Sequence, residues 1–382
     1  MRSVRLPVLF RFAVLGSFAA LCGCIGVGPN RMQNDQLAYS RALGETQKRE
    51  MLLNIVRRRY ADPPTFLDTT QVIAGYSFSR SVTGGYYGYP ASAVSNYLFG
   101  QGSMSLAENP TITYQPLTGQ QYAENVIRPI SPSVIMPLIL GGMSIDTLLR
   151  LTAQSIDGLS NVRGLGSGPF GGGSVRFYLL LHDLRQLQIA GAMTVRIASE
   201  EMNPDDVPGR KKGREQPDSD RKAKKAEHVY LVLSSTSDNG LLAVQAEVRR
   251  LLHLPPQTQE AEIVYGPYPK RPGQIAILTR SMLAMLTQLS YEMEVPDEDV
   301  KSGRTPPTIG QIGIETRPEV VIHSGKRAPE ETYTSVYYKK RWYWIEETDF
   351  QSKEAFTMVQ VINALAATSH GTGAIVTIPT GG

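Results

Sequence analysis

Cysteine is all but missing: Cys22 and Cys24 are the only two in the chain, and both precede residue 25. Everything beyond them lacks a disulfide framework and a thiol nucleophile. Histidine is scarce too. His182, His228, His253, His323 and His370 stand far apart, with no HxxxH or HExxH spacing, so no metal site is written into one helix and no metal or other cofactor is expected. The chain has no P-loop lysine motif and no Gly-x-Ser-x-Gly elbow. Residues 12–21 form an apolar run, but a spanning helix needs roughly 20 such residues.

That run lies between Arg2, Arg5 and Arg11 on one side and Leu21-Cys22-Gly23-Cys24 on the other, the three zones of an export leader. The last four residues resemble a bacterial lipobox, with an aliphatic residue at minus three and a small one at minus one. Cys24 fits as the residue that carries the lipid (palmitate-type acyl chains), because choosing Cys22 puts the bulky Leu21 at minus one. The expectation is a signal peptide over 1–23 and lipid attachment at Cys24. Ile25 follows, where by resemblance to enterobacterial sorting an Asp holds a lipoprotein at the inner membrane. The outer membrane, with the body facing the periplasm, is therefore the expected location. Loss of the three leader arginines brings the formal charge of +4 close to neutral, which leaves no nucleic-acid footprint. With 41% hydrophobic residues, the chain has ample material for a core held by burial alone.

Residues 24–40 are polar and read as a lipid-anchored tether without fixed structure. Over 43–60, Met51, Leu52, Ile55, Val56 and Tyr60 recur at helical spacing until Asp62-Pro63-Pro64 stops them. Val72, Ala74, Tyr76 and Phe78 alternate as in a half-buried strand, with Ile73 discordant. Residues 83–102 mix tyrosine and glycine and read as an aromatic loop or irregular hairpin. A strand over 111–114 follows, then a helix over 118–128 opened by Thr118-Gly119-Gln120-Gln121 as a capping box. A helix over 144–158, a glycine-rich break over 164–173, a helix over 175–190 and a strand over 193–198 complete the N-terminal region, 41–198. Residues 199–227 are charged with almost nothing to bury, an exposed linker or insertion. The C-terminal region, 228–382, reads as strand 229–233, helix 239–252, strands 261–265 and 274–278, and helix 281–291. A hairpin, 334–338 with 342–346 around Lys339-Lys340-Arg341, precedes helix 352–367 and a last strand over 374–378. The class is α+β, with two subdomains joined by the charged stretch as one arrangement.

Several segments are similar to an uncharacterised family of proteobacterial outer-membrane lipoproteins. They are Leu52-Leu53-Asn54-Ile55-Val56-Arg57 with Tyr60-Ala61-Asp62-Pro63-Pro64-Thr65-Phe66-Leu67, then Thr279-Arg280-Ser281 with Glu294-Val295-Pro296, then Trp342-Tyr343-Trp344-Ile345 with Asp349 and Ser352-Lys353. The resemblance implies class and location and brings no activity, cofactor or catalytic residue.

No residue pattern qualifies as catalytic. His182-Asp183 reads as a helix-surface pair, and the glycine run over 164–173 as a connector rather than a phosphate cradle. Glu292, Glu294, Asp297, Glu298 and Asp299 read as a solvated helix end and turn. Tyr86, Tyr87 and Tyr89 of the aromatic loop, with Trp342 and Trp344 of the hairpin, are the candidate partner contacts. The expected function is a non-catalytic binding or structural and assembly component of the cell envelope. Its partners are the membrane, through the lipid, and an envelope protein or the cell wall. The alternative is a periplasmic hydrolase that acts on peptidoglycan or polysaccharide through paired carboxylates.

Overall fold

A computed structural model describes residues 29–87, 97–161, 174–201, 225–308 and 317–368. Two compact units divide the chain, Met1–Met51 and Leu52–Gly382. Helix α1 (Pro29–Arg59) runs through the boundary. Residues 29–40, expected as a tether, are thus its first turns, and the helix starts at Pro29 rather than near residue 43. In the second unit α1 buries Leu52, Ile55 and Val56, one apolar stripe at helical spacing. Arg57, Arg58 and Arg59 in its last turn complement the helix dipole. Ala61 then turns left-handed (φ 59°), and the Asp62 N–H donates to Arg57 O at 2.9 Å to close the helix before the prolines.

Strands β1 (Leu67–Tyr87) and β2 (Tyr97–Pro116) pair antiparallel over their whole length as a two-stranded sheet of their own. Residues 83–87 and 97–102, expected to be irregular, continue this regular ladder. A one-turn helix (Gly119–Tyr122) passes into a π-turn (Ala123–Ile127) and ends at Arg128. Thr118 sits at the N-cap but makes no capping bond, so the predicted box is not formed; Gln120 bonds Glu124 instead at 2.8 Å.

The helix expected over 144–158 stops halfway. Helix α2 (Ile145–Thr152) gives way to strands β3 (Ala153–Ile156) and β4 (Leu159–Ser160), joined by Asp157 (φ 47°) and Gly158 (φ 78°) in the left-handed pair that a tight hairpin requires. Helix α3 (Val175–Ile189) and strand β5 (Met193–Glu201) follow. After the charged stretch come β6 (Lys225–Leu233), helix α4 (Asn239–Leu251), β7 (Glu260–Tyr265), β8 (Gln274–Thr279) and helix α5 (Met282–Glu292), which Ser281 caps by accepting from Ala284 N at 3.2 Å. These strands make one six-stranded sheet in the order β4-β3-β8-β7-β6-β5. Because β5 pairs with β6, and β3 with β8, the regions on either side of the charged stretch share a sheet and are not two subdomains.

Val195, Val229, Leu231, Leu233, Ala261 and Ile263 occupy one buried set of alternating positions in this sheet. Strands β7 and β8 run parallel although only residues 266–273 connect them, in place of the usual helical crossover. Gly273 (φ 82°) takes a turn conformation in that return.

Short helix α6 (Asp297–Lys301) precedes strands β9 (His323–Gly325), β10 (Thr332–Tyr338) and β11 (Arg341–Glu346), a three-stranded antiparallel sheet in the order β10-β11-β9. Lys339 (φ 44°) and Lys340 (φ 66°) form the predicted turn. Helix α7 (Phe350–Thr368) contributes Phe356, Val359 and Ile362 to the core. The glycine run and the strand expected over 374–378 lie outside the described residues. The class is α+β.

Candidate functional site

Alternation puts two kinds of chemistry on the two faces of the large sheet. Opposite its buried set, cross-strand register lines up Arg196, Tyr230, Glu262 and Gln274 across β5, β6, β7 and β8. Together with Glu260, Arg271, Pro272 and Gly273, the last three of these residues line an open pocket of about 280 Å³. Glu262 is its hub. Gln274 Nε2 donates to one carboxylate oxygen at 2.7 Å, His228 Nδ1 lies 2.8 Å from the other, and Arg271 approaches to 3.9 Å. The Gln274 hydrogen bond leads in holding the Glu262 carboxyl below the usual range, with His228 and Arg271 adding to it against the cost of burial. Glu260 is paired with Arg196, whose guanidinium lies 4.4 Å from the centre of the Tyr230 ring.

Glu260 and Glu262 are therefore two carboxylates lining one pocket. A glycosidase pair needs one of them raised, so that it holds a proton at neutral pH. Glu262 is shifted the opposite way. These residues were not singled out from sequence, although a polar residue at every second place in His228-Val229-Tyr230 and Glu260-Ala261-Glu262 was a readable signal.

The acidic group expected to be a solvated turn divides. Asp297 and Glu298 are exposed at the start of α6. Glu292 is buried, accepting from Gln288 Nε2 at 2.6 Å and Glu319 N at 3.0 Å. Glu294 accepts from Ser324 N at 3.0 Å and lies 3.0 Å from His323 Nδ1. Asp299 accepts from the Tyr60 hydroxyl at 2.7 Å, and that hydroxyl in turn meets the Tyr343 hydroxyl at 2.7 Å. Burial, then these two hydrogen bonds, push the Tyr60 hydroxyl far above its ordinary range, so it stays protonated as a structural link. His182 is exposed on α3, and burial raises the carboxyl of its neighbour Asp183. Among the described residues no group of three or more His, Cys, Asp or Glu is placed to hold a metal ion.

The predicted contact residues separate into two sheets. In β11, Tyr343 and Ile345 are fully buried, while Trp342 and Trp344 share the other face and are half-buried. Trp342 lies beside exposed Tyr337 (centroids 5.3 Å apart), and Trp344 stacks on His323 at 5.7 Å. Gly325 makes room for the Trp344 ring: a Cβ there meets its Cη2 at 3.0 Å. Trp344 Nε1 is buried without a hydrogen-bond partner among the described residues. Tyr86 and Tyr87 sit at the far end of β1, in register with Leu98 and Tyr97. Tyr89 and Cys24 lie outside the described residues.

The ribbon that ends at those tyrosines is a sheet separate from the other two. At about 3.3 Å per residue, the 21 residues of β1 reach roughly 70 Å. Register places Val72, Ala74, Tyr76, Phe78, Arg80, Val82 and Tyr86 on one face with Leu98, Met104, Leu106, Glu108 and Ile112, an apolar set that includes the ribbon's two charged positions. Ser77, Ser79, Ser81 and Thr83 share the other with Gln101, Ser103, Ser105 and Asn109, joined by Ile73 and, at the far end, by Tyr87, Tyr97 and Phe99; the Ser81 and Ser103 hydroxyls bond across it at 2.6 Å. Between Asp68 and Glu124 the only charged residues are Arg80 and Glu108. Its root is fixed: the Leu117 N–H donates to Phe66 O at 3.0 Å, and the Asn54 side chain bonds both backbone groups of Thr65. Among the described residues no helix is long and apolar enough to cross a membrane.

No family model matches the chain, and neither a curated protein nor a solved structure is significantly similar to it.

Proposed function

We infer that this is an exported lipoprotein, anchored through Cys24 in the outer membrane and facing the periplasm. There it serves as a non-catalytic binding or assembly component of the cell envelope. The observation that carries the assembly role is the ribbon. A two-stranded sheet is marginal alone in water, and the outer edges of this long one pair with no further strand among the described residues. Natural proteins blunt such edges with charge, proline or a covering element, and between Asp68 and Pro116 these two strands carry only Arg80, Glu108 and Pro110. The lipobox and the resemblance to outer-membrane lipoproteins support the location.

Mass spectrometry of the native N-terminus, together with sizing of the detergent-extracted protein, tests the reading. An acylated Cys24 and a species larger than one chain are expected. An unmodified N-terminus, or a lone monomer with no co-purifying partner, counts against it.

The hydrolase alternative rests on Glu260 and Glu262 in one pocket. Both are engaged by cations, and Glu262 is poised as an ion rather than as a proton donor. Turnover of peptidoglycan by the purified chain that Glu262→Gln abolishes is the result that favours it.

A further inference from the structure

Resting on the lipid-anchored reading, we propose that β1 and β2 are membrane-inserting strands: ribbons from several copies of this chain pair edge to edge and close into a β-barrel through the outer membrane. Hydrocarbon tolerates backbone only as helices or closed barrels, because every N–H and C=O must be satisfied within protein. Two strands cannot close. The ribbon's outer edges pair with no further strand among the described residues, so identical ribbons supply what each edge lacks.

Three features of the ribbon fit this environment. Between Ser77 and Thr83 the strands alternate small polar and larger, mainly apolar positions, with aromatic Tyr87, Tyr97 and Phe99 on the polar side only at the far end, the pattern of a barrel wall with lipid outside and water within. Residues 81–107 contain no charge, and a hairpin that crosses a bilayer needs about 9–11 residues per strand plus a turn. Arg80 and Glu108 bracket that segment, where charges on a lipid-facing surface cost least, near the interface.

The two charges also specify the neighbour. Within one ribbon Arg80 stands opposite Met104, and Glu108 opposite Tyr76. They are four residues out of register, too far to face one another in the same ribbon. If β1 of one copy lies antiparallel beside β2 of the next with Arg80 opposite Glu108, the displacement is even, so each strand keeps the same face towards lipid. Each junction then neutralises one pair of charges. Barrels begin at about eight strands, which requires four copies or more.

The test uses the full-length chain in a Gram-negative envelope. In the double variant Arg80→Cys/Glu108→Cys, oxidation of intact membranes is expected to give a ladder of covalently linked multiples, whereas neither single variant gives more than a dimer. Arg80→Glu alone is expected to lose the large species on sizing, and Arg80→Glu/Glu108→Arg to regain it. Purified protein reconstituted in vesicles of phosphatidylethanolamine and phosphatidylglycerol is expected to release a trapped small dye. A Cys24→Ser chain exported behind a non-lipoprotein leader is expected to resist carbonate extraction. Absence of the ladder overturns the barrel. A ladder from a soluble ring that leaves vesicles tight shows the ribbon to be an aqueous assembly arm and overturns membrane insertion. Acylation of Cys24, read separately by mass spectrometry, shows whether it is the anchor or the barrel that has failed.

Discussion

Asn54, on the last turns of α1, holds Thr65 at the entry to β1 by two hydrogen bonds: its Nδ2 donates to Thr65 O at 2.7 Å and its Oδ1 accepts from Thr65 N at 3.0 Å. The amide supplies a backbone's donor and acceptor where no backbone can reach. It is 1% exposed, so its own amide is satisfied within the protein. Asn54→Leu removes both hydrogen bonds to Thr65 and is expected to cost about 1–3 kcal/mol in urea unfolding, at roughly 0.5–1.5 kcal/mol for each lost hydrogen bond. A loss below 0.5 kcal/mol contradicts the clamp.

The chain Tyr343–Tyr60–Asp299 predicts an order of severity. Tyr60 donates to Asp299, so Tyr343 must donate to Tyr60. Removing the terminal donor in Tyr343→Phe leaves Tyr60 bonded to Asp299 and costs about 1 kcal/mol. Tyr60→Phe breaks both bonds and strands the fully buried Tyr343 hydroxyl, for about 2–3 kcal/mol. Equal losses in thermal unfolding remove the relay and leave ordinary packing.

Asp157 carries a pH signature. Burial pushes its carboxyl up to about 6, against the hydrogen bond that Oδ1 accepts from Ala276 N and the nearby His253; Oδ2 is buried without a partner among the described residues. A folded-state value raised above the unfolded one means that the folded chain holds the proton more tightly. The stability this contributes is complete below about pH 4 and is lost as pH rises through about 6. Asp157→Asn keeps an acceptor for Ala276 and tolerates the left-handed backbone. It is expected to unfold at higher temperature than the parent at pH 7.5, with the advantage shrinking towards pH 4.5. The opposite trend refutes the assignment.

In the β10–β11 turn, Lys340 holds a left-handed φ of 66° that a side chain disfavours by about 1 kcal/mol. Lys340→Gly is expected to raise the denaturant midpoint by the equivalent of up to 1 kcal/mol. Lys339→Gly gains less, because it also removes the 3.0 Å contact of Lys339 with Asp62 and its position over the Tyr60 ring.

Local signals accounted for most elements. Ser281 before Met282, the alternation of Val229 to Leu233, and the basic turn between Tyr338 and Arg341 each act within a few residues, and each element formed as its pattern implies. Helix α1 began early because Pro29 is well suited to a first turn, and polarity alone does not melt a helix. In the α2–β3 region the overlooked cue was Asp157-Gly158, a strong hairpin pair, masked by residues that also suit a helix. Long-range pairing was not legible. Nothing near Ala153 names Thr279 as its partner, and the eight-residue parallel return from β7 to β8 runs against the common connection. The pocket around Glu262 assembles from three strands and a loop, so it became visible only once register was known.

The reach between Tyr60 and Tyr343, 283 positions apart, sets a timetable. A chain that emerges from its N-terminus carries that hydroxyl, and the apolar stripe beneath it, without their partners until β11 has been delivered. Completion is thus a late, all-or-none event. Fragments cut before residue 343 should behave as substrates for holdases and proteases rather than as smaller working versions of the protein.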